Sequence, residues 1–388
     1  MRTGNSGGLV FDVPAPYYPS DALSLDELAH WVAFSRFPGI GPKRFHKLLA
    51  FFDNDVLAAW KAESNQLSEA GIDQKTREKF IEYRKTVTPQ QELERLERRR
   101  IRVITLKDET YPPLLKKFEY APIVLYIYGR LAENDSRFTI GVVGTRKMSS
   151  YGRQVTERFT TDLAKANLTI VSGLALGVDT VAHHAALNAG GRTLAILANG
   201  LDTIYPAENL SLAKRIVESG CGALISAYPL GVRPDAGNFP ARNHIIAGLS
   251  LGVLVTEAPP KSGALITAGS ALQQGREVFA VPGGIFSASS AGVNKLILDG
   301  AHPVISAKDI VEQLDLRMVP EHVEAQAILP NNDEERTLLK HLSQEAQHID
   351  ELTRASEMEP HVVSATLTMM ELKGMVRQVG PMQYVIAH

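Results

Sequence analysis

Gly141-Val142-Val143-Gly144-Thr145-Arg146-Lys147 is the stretch that decides the fold, and it runs on into Ser149, Ser150, Tyr151 and Gly152. An apolar β-rich run ends on glycine, and a polar turn then opens a helix-forming segment. The same succession returns at Val171-Ser172-Gly173-Leu174-Ala175-Leu176-Gly177-Val178-Asp179. On either side, β-rich runs recur at residues 102–106, 138–143, 168–171, 193–197, 223–226, 253–256, 278–281 and 303–305, most of them followed by glycine and a helical stretch. Near-continuous apolar strands alternating with helices indicate a mainly parallel sheet covered on both faces. The expectation is a Rossmann-like, doubly wound α/β domain over residues 101–315, whose ligands belong at the carboxyl ends of the strands.

The flanks read differently. Residues 1–21 hold Gly, Ser and Pro without an apolar core and read as a flexible tail rather than a secretory signal. Residues 22–100 read as a helical domain of the SAM-like, helix-hairpin-helix kind. Ser24 with Glu27 makes a capping box, Leu25, Leu28, Trp31 and Val32 have helical spacing, and Pro42 sits at a second helix start. After a linker at 316–332, residues 333–388 give helix signals at 333–342, 349–356 and 359–374. Strands at 375–379 and 383–386 then flank Gly380-Pro381. Helix, helix-turn-helix and hairpin is the order of a winged helix.

Bulk properties narrow the function classes. Of 388 residues, 44% are hydrophobic and 22% charged, an ordinary globular balance. Cys221 is the single cysteine, which excludes an internal disulfide and fits a reducing, cytoplasmic setting. No apolar run reaches the roughly 18 residues that a membrane span needs, so no membrane partner is expected. A net charge of -2 excludes a bulk polycation, so any nucleic-acid contact must come from local patches. Between positions 31 and 50 stand Arg36, Lys43, Arg44 and Lys47 with no acid, whereas residues 333–388 hold nine acids against five Lys and Arg. The two ends of the chain are not built for the same partner.

Five motifs carry chemistry. Phe37-Pro38-Gly39-Ile40-Gly41-Pro42-Lys43-Arg44 resembles a helix-hairpin-helix turn. There Gly39 and Gly41 would take positive φ and Lys43 and Arg44 would flank a helix start that holds a backbone phosphate. It is a second possible DNA contact beside a plain structural turn. Gly144, Thr145, Arg146 and Lys147 form a strand-to-helix loop without a GxGxxG fingerprint, suited to phosphates without a cofactor. Ser172 and Gly173 open the next such loop. His183 and His184 follow, but they point to different helix faces and lack metal-ligand spacing, so packing and surface roles are expected and no metal. Asn238-Phe239-Pro240-Ala241-Arg242-Asn243-His244 is the densest motif. Phe239 can stack on an unpaired base or fill the core. Arg242 can take a phosphate or pair with an acid such as Glu257, and Asn243 can read a base edge. Finally, Lys261-Ser262-Gly263, Thr267, Gln274-Gly275-Arg276-Glu277 and Pro282-Gly283-Gly284 follow strands and can border the same cleft or cap helices.

These central motifs, in this order and spacing, resemble the DNA-processing protein A (DprA/Smf) family. The likeness is carried by residues 143–152, 170–187, 198–212, 226–254 with Glu257-Ala258, 262–268 and 275–300. It implies a non-enzymatic protein without a cofactor that binds single-stranded DNA in natural transformation. Such a protein loads a RecA-type recombinase onto the strand, acts on strands coated by single-strand-binding protein, and self-associates as a homodimer through the Rossmann-like domain. By motif correspondence the binding residues are Arg146, Phe239, Arg242, Asn243 and, by a weaker match, Arg276. The sequence departs from the family pattern at Ala227, where a glutamate is usual, at His244, where an arginine is usual, and at Thr145 in place of serine.

Mechanically, these motifs predict a basic pocket with Arg146 at its floor and Phe239 and Arg242 at its rim. The competing reading is a nucleotide-processing Rossmann-like hydrolase of the lysine-decarboxylase-like type. That chemistry needs a carboxylate soon after Pro-Gly-Gly, and here Pro282-Gly283-Gly284 continues Ile285-Phe286-Ser287 with the next acid at Asp299.

Overall fold

The computed structural model describes residues 23–316, 333–343, 347–356, 358–372, 376–380 and 382–386. The expected tail at 1–21, and the expected linker apart from Leu316, lie outside the described residues. The chain divides into two compact units, Met1–Val319 and Pro320–His388.

The larger unit is organised by a nine-stranded sheet. Its strands are β1 (Arg102–Thr105), β2 (Val124–Gly129), β3 (Thr139–Val143), β4 (Thr169–Ser172), β5 (Thr193–Leu197), β6 (Gly222–Ser226), β7 (Gly252–Val255), β8 (Glu277–Ala280) and β9 (His302–Pro303). They lie in the order β1-β2-β6-β5-β4-β3-β7-β8-β9. The seven strands from β6 to β9 in that order are mutually parallel. Strands β3 to β7 are buried at every position because helices cover both faces, which is why they read as near-continuous apolar runs. The chain winds outward from β3 through β4 and β5 to β6, then resumes on the other side at β7. Its direction reverses at β3 and β7, and a crevice opens there beyond the carboxyl ends.

Strand β2 is absent from the sequence-based expectation. It pairs antiparallel with both β1 and β6. A hydrophobic run without a following helix does not fit the strand-glycine-helix rhythm that marks the other strands. Its Gly129 takes φ +114°, and a Cβ there would lie 2.7 Å from the Gly222 carbonyl oxygen and 2.9 Å from Ala223 Cα.

The helical segment before the sheet begins as expected, with the Ser24–Glu27 capping box on helix Leu25–Ser35. Phe34 is its hub, with ring centroids 5.1 Å from Phe45, 5.1 Å from Trp60 and 5.2 Å from Phe80. This segment shares a hydrophobic core with the sheet, and polar ties reinforce the join. The Ser35 and Tyr126 hydroxyls meet at 2.5 Å, and Arg36 donates to the Leu230 carbonyl at 3.1 Å.

In the smaller unit, helices Asp333–His341, Ile349–Ser356 and Pro360–Leu372 enclose Leu338, Leu352, Val363, Leu367 and Met370. Strands β10 (Gln347–His348), β11 (Val376–Gly380) and β12 (Gln383–Ile386) form an antiparallel sheet ordered β10-β12-β11. This is a winged helix. Among its described residues, the exposed positions of Pro360–Leu372 include His361, Ser364, Ala365, Thr368, Met369 and Glu371, with no Lys or Arg. Lys373, which follows this helix in the sequence, lies outside the described residues.

Gly129→Ala is expected to destabilise the larger unit by about 1–3 kcal/mol, because strand pairing there excludes a side chain and the positive φ disfavours one. Urea denaturation checks this. A lowered midpoint with an unchanged slope is expected, and a midpoint equal to that of the unsubstituted protein would contradict the β2–β6 pairing.

Candidate nucleic-acid interface

The loop after β3 is held in shape by one carboxylate. The Thr145 N–H donates to the Glu257 carbonyl at 2.7 Å. Ser149 donates to the Glu257 carboxylate twice, from its backbone N–H at 2.8 Å and its hydroxyl at 2.6 Å. The Ser289 hydroxyl adds a third bond at 2.6 Å. Within the loop, the Lys147 N–H donates to the Thr145 hydroxyl at 3.2 Å, and Ser149 caps helix Ser150–Lys165 by accepting from the Gly152 N–H. Glu257 is thus 1% exposed and fully engaged, and it does not pair with Arg242. Glycine at 144 is required because a Cβ would meet Val178 and the Glu257 carbonyl. The result is a rigid turn that leaves Arg146 and Lys147 exposed.

Arg242 comes from the first turn and a half of helix Asn238–Leu249 and is 4% exposed. Its guanidinium occupies the space that a side chain at position 173 would fill: a Cβ on Gly173 would collide with it. One nitrogen donates to the Ile196 carbonyl at 2.9 Å, while Nε is buried without a hydrogen-bond partner. Asp179 is the neighbouring acid, and it accepts from the N–H groups of Gly173 at 3.1 Å and Ala175 at 3.3 Å. Burial raises the Asp179 carboxyl above its ordinary range, against the pull of Arg242. Burial also brings the Arg242 guanidinium down to about 10, so it stays charged at neutral pH. The expected arrangement is therefore reversed: Arg242 is the floor and Arg146 the rim, because the apolar helix draws Arg242 inward and the Glu257-held turn pushes Arg146 out.

Phe239 is half-buried between them. The Arg146 guanidinium lies 5.2 Å from its ring centroid and that of Arg242 5.9 Å. Tyr205, 45% exposed, stands 5.9 Å away and tilted by 55°. Sequence reasoning missed Tyr205, whose only local signal is an aromatic before proline shortly after a strand. The crevice in front has a volume of about 410 Å³, lined by Thr145, Arg146, Phe239, Arg242, Asn243 and Ser262 among others. It faces the amino ends of helices Asn238–Leu249 and Gly263–Gln273, the latter capped by Ser262. Asn243 donates weakly to the Gly263 carbonyl at 3.4 Å.

Other expected residues stand elsewhere. The Ser172 hydroxyl is buried and donates to the Val142 carbonyl, so it holds β4 to β3 rather than facing the crevice. Arg276 donates to the Leu114 carbonyl and does not line the crevice. His244 stacks on Phe118 at 5.7 Å and lines a separate apolar cavity, and burial lowers its pKa, so the expected loss of a fixed charge falls outside the crevice. In the first motif neither Gly39 nor Gly41 has positive φ: Gly41 is extended at φ -76°, and Gly39 is needed because a Cβ would strike Phe37. Lys43 pairs with Glu119 at 3.2 Å and Arg44 with Asp73 at 2.9 Å, so internal acids hold both cations expected to meet phosphate. Among the described residues no His, Cys, Asp or Glu cluster could hold a metal, and no helix is long and apolar enough to cross a membrane.

Comparison with known proteins places these features in a wider group. Residues 102–315 match the family model described as DNA recombination-mediator protein A, and residues 322–380 match that of the DprA winged helix domain. Protein Smf of Synechocystis sp. is 36% identical over 398 residues, covering 93% of this chain and 99% of that protein. Among solved structures, DNA processing protein A of Streptococcus pneumoniae superposes with a TM-score of 0.64 at 32% identity, covering 74% of this chain and 97% of that one. That of Helicobacter pylori, described in a study of its single-stranded DNA binding mode, gives 0.50 at 30% identity over 55% and 96%.

His183 and His184 separate as their helix positions require. His183 is fully buried and bonds the Thr193 hydroxyl at 2.6 Å, and burial lowers its pKa to about 3 from an ordinary 6.5. The folded chain therefore binds fewer protons than the unfolded one in that window. This group's contribution to stability is present above pH 6.5 and is lost as the pH falls toward 3, by about 2 kcal/mol between pH 6.5 and 5. Chemical denaturation across that range is expected to show a flatter pH slope for His183→Leu than for the unsubstituted protein. Identical slopes would contradict a neutral buried imidazole.

Proposed function

Because this chain belongs to the DNA recombination-mediator protein A (DprA/Smf) family, we propose that it binds single-stranded DNA in the crevice at β3 and β7 and breaks no bond in doing so. The observation that carries this reading is the convergence of two guanidinium groups on one aromatic ring, 5.2 and 5.9 Å from its centroid, at the open carboxyl edge of the sheet. Arg146 and the buried Arg242 supply positive charge where two helix amino ends add their dipoles. Phe239 and Tyr205 offer faces to bases. Bases of a single strand can splay out and stack there, whereas paired bases are sealed inside a duplex. Gly144, Thr145, Lys147, Gly173 and Asn243 complete this proposed interface. Ser172 and Arg276 serve it at most through packing, and Gly39, Gly41, Lys43 and Arg44 act as scaffold.

The wider role we infer is that of a recombination mediator in natural transformation. It would act as a homodimer through the Rossmann-like domain, hand its strand to a RecA-type recombinase and work on strands coated by single-strand-binding protein. The family and the similar Streptococcus and Helicobacter proteins support this reading. The uncharged and acidic face of helix Pro360–Leu372 suits a protein contact better than a duplex, because phosphates demand Lys or Arg.

Arg146→Ala is expected to weaken single-strand binding and to reduce the salt dependence by about 0.7 log units per log unit of salt for each phosphate no longer neutralised. Phe239→Ala is expected to cost about 1–3 kcal/mol of binding with the salt slope unchanged. Electrophoretic mobility shifts over a salt series measure both, and an unaltered affinity and slope in Arg146→Ala would refute the crevice. Truncation after Asn332 is expected to leave single-strand affinity nearly intact, and a collapse in the same assay would transfer the binding role to the winged helix.

A further inference from the structure

The groove does not end at Phe239. Leu176 lines both the cleft beside Tyr205 and a further groove of about 310 Å³ between helices Ser150–Lys165 and Val178–Asn188. On the second helix Thr180, His184 and Asn188 recur at four-residue intervals on one face, a span of roughly 12 Å. Arg215 from helix Leu210–Glu218 reaches across to that face. It donates to Asn188 Oδ1 at 2.7 Å and lies 3.3 Å from His184 Nδ1. Arg153 lines the groove, and Glu157 is the carboxylate that also lines it. Among the described residues neither Arg153 nor Arg215 forms an ion pair, and both are exposed. Burial and the nearby Arg215 lower the His184 pKa, so its ring is a neutral neighbour that leaves the guanidinium charge uncancelled.

This arrangement contributes little to folding. An exposed arginine held by an amide and a neutral imidazole gains little stability from its charge, in contrast to Arg192, which is locked onto the buried Asp135 at 2.6 Å. It is well suited to an external phosphate, for which a planar guanidinium offers parallel donors regardless of sequence. We propose that the groove between helices Ser150–Lys165 and Val178–Asn188 is a second phosphate subsite, in which Arg215 and Arg153 hold the backbone of the single strand after it passes the Arg146–Phe239–Tyr205 ledge. The proposal rests on the crevice reading and extends its footprint.

Oligothymidylates of about 4 and about 16 nucleotides separate the two sites, the shorter filling only the first. With the full-length protein, Arg215→Ala is expected to lower affinity for the longer strand about five- to tenfold, with the salt slope falling by about 0.7 and the shorter strand unaffected. Arg153→Ala is expected to act in the same direction, and Arg215→Lys to retain most of the salt slope. If both arginine-to-alanine variants bind the longer strand like the unsubstituted protein, the subsite is overturned. Equal losses for both lengths would also overturn it, because Arg215 would then act on the first crevice. If the unsubstituted protein binds neither strand, the crevice reading itself fails, which is a distinct result.

Discussion

The architecture of the site turns on one buried cation. Arg242 sits with its guanidinium in a niche that exists only because residue 173 lacks a side chain, and it gives one bond to the end of β5. Desolvating a guanidinium costs several kcal/mol unless charge and hydrogen bonds compensate. Compensation here is partial: Asp179 is itself pushed toward its neutral form by burial, and Nε has no partner. A fold that keeps such a group maintains a positive floor at the reversal point of its sheet. The neighbouring features follow from it: the bare Gly173 turn, Asp179 tied to two backbone N–H groups, and Phe239 lying over the guanidinium.

Around that floor the charges divide into fixed and available. Glu257 uses its carboxylate to fasten the turns of Ser149 and Ser289, which frees Arg146 to point outward. Lys43 and Arg44 are equally basic in sequence but already matched by Glu119 and Asp73. A protein with net charge -2 can thus present a local cationic edge, because what a polyanion meets is the set of cations that internal acids have not taken up.

The fold is largely legible because strands covered on both faces are mostly apolar, as β3 to β7 are, and the less buried β1, β8 and β9 still overlap β-rich runs in the sequence. β2 escaped because it runs antiparallel and has no crossover helix. The motif residues were legible as a set, but their depths were not. Arg146 and Arg242 look alike in sequence, and only the helix that carries Arg242 decides that it is buried. Asp179 as its neighbour, Glu257 as the fastening carboxylate and Tyr205 as a second ring depend on packing between segments far apart in the chain, which local spacing does not encode. The turn context of Gly39 and Gly41 suggests positive φ, whereas the constraint at Gly39 is the closeness of the Phe37 ring.

Whether bases stack at the carboxyl edge of the sheet can be read by photocrosslinking. A single strand carrying 5-iodouracil reacts preferentially with an aromatic side chain against which the base lies, and the crosslinked peptide can be sequenced by mass spectrometry. Adducts on Phe239 and Tyr205 are expected. Adducts confined to helix Pro42–Phe51 or to the winged helix, with none at the carboxyl edge of the sheet, would overturn the crevice as the place where the strand is held.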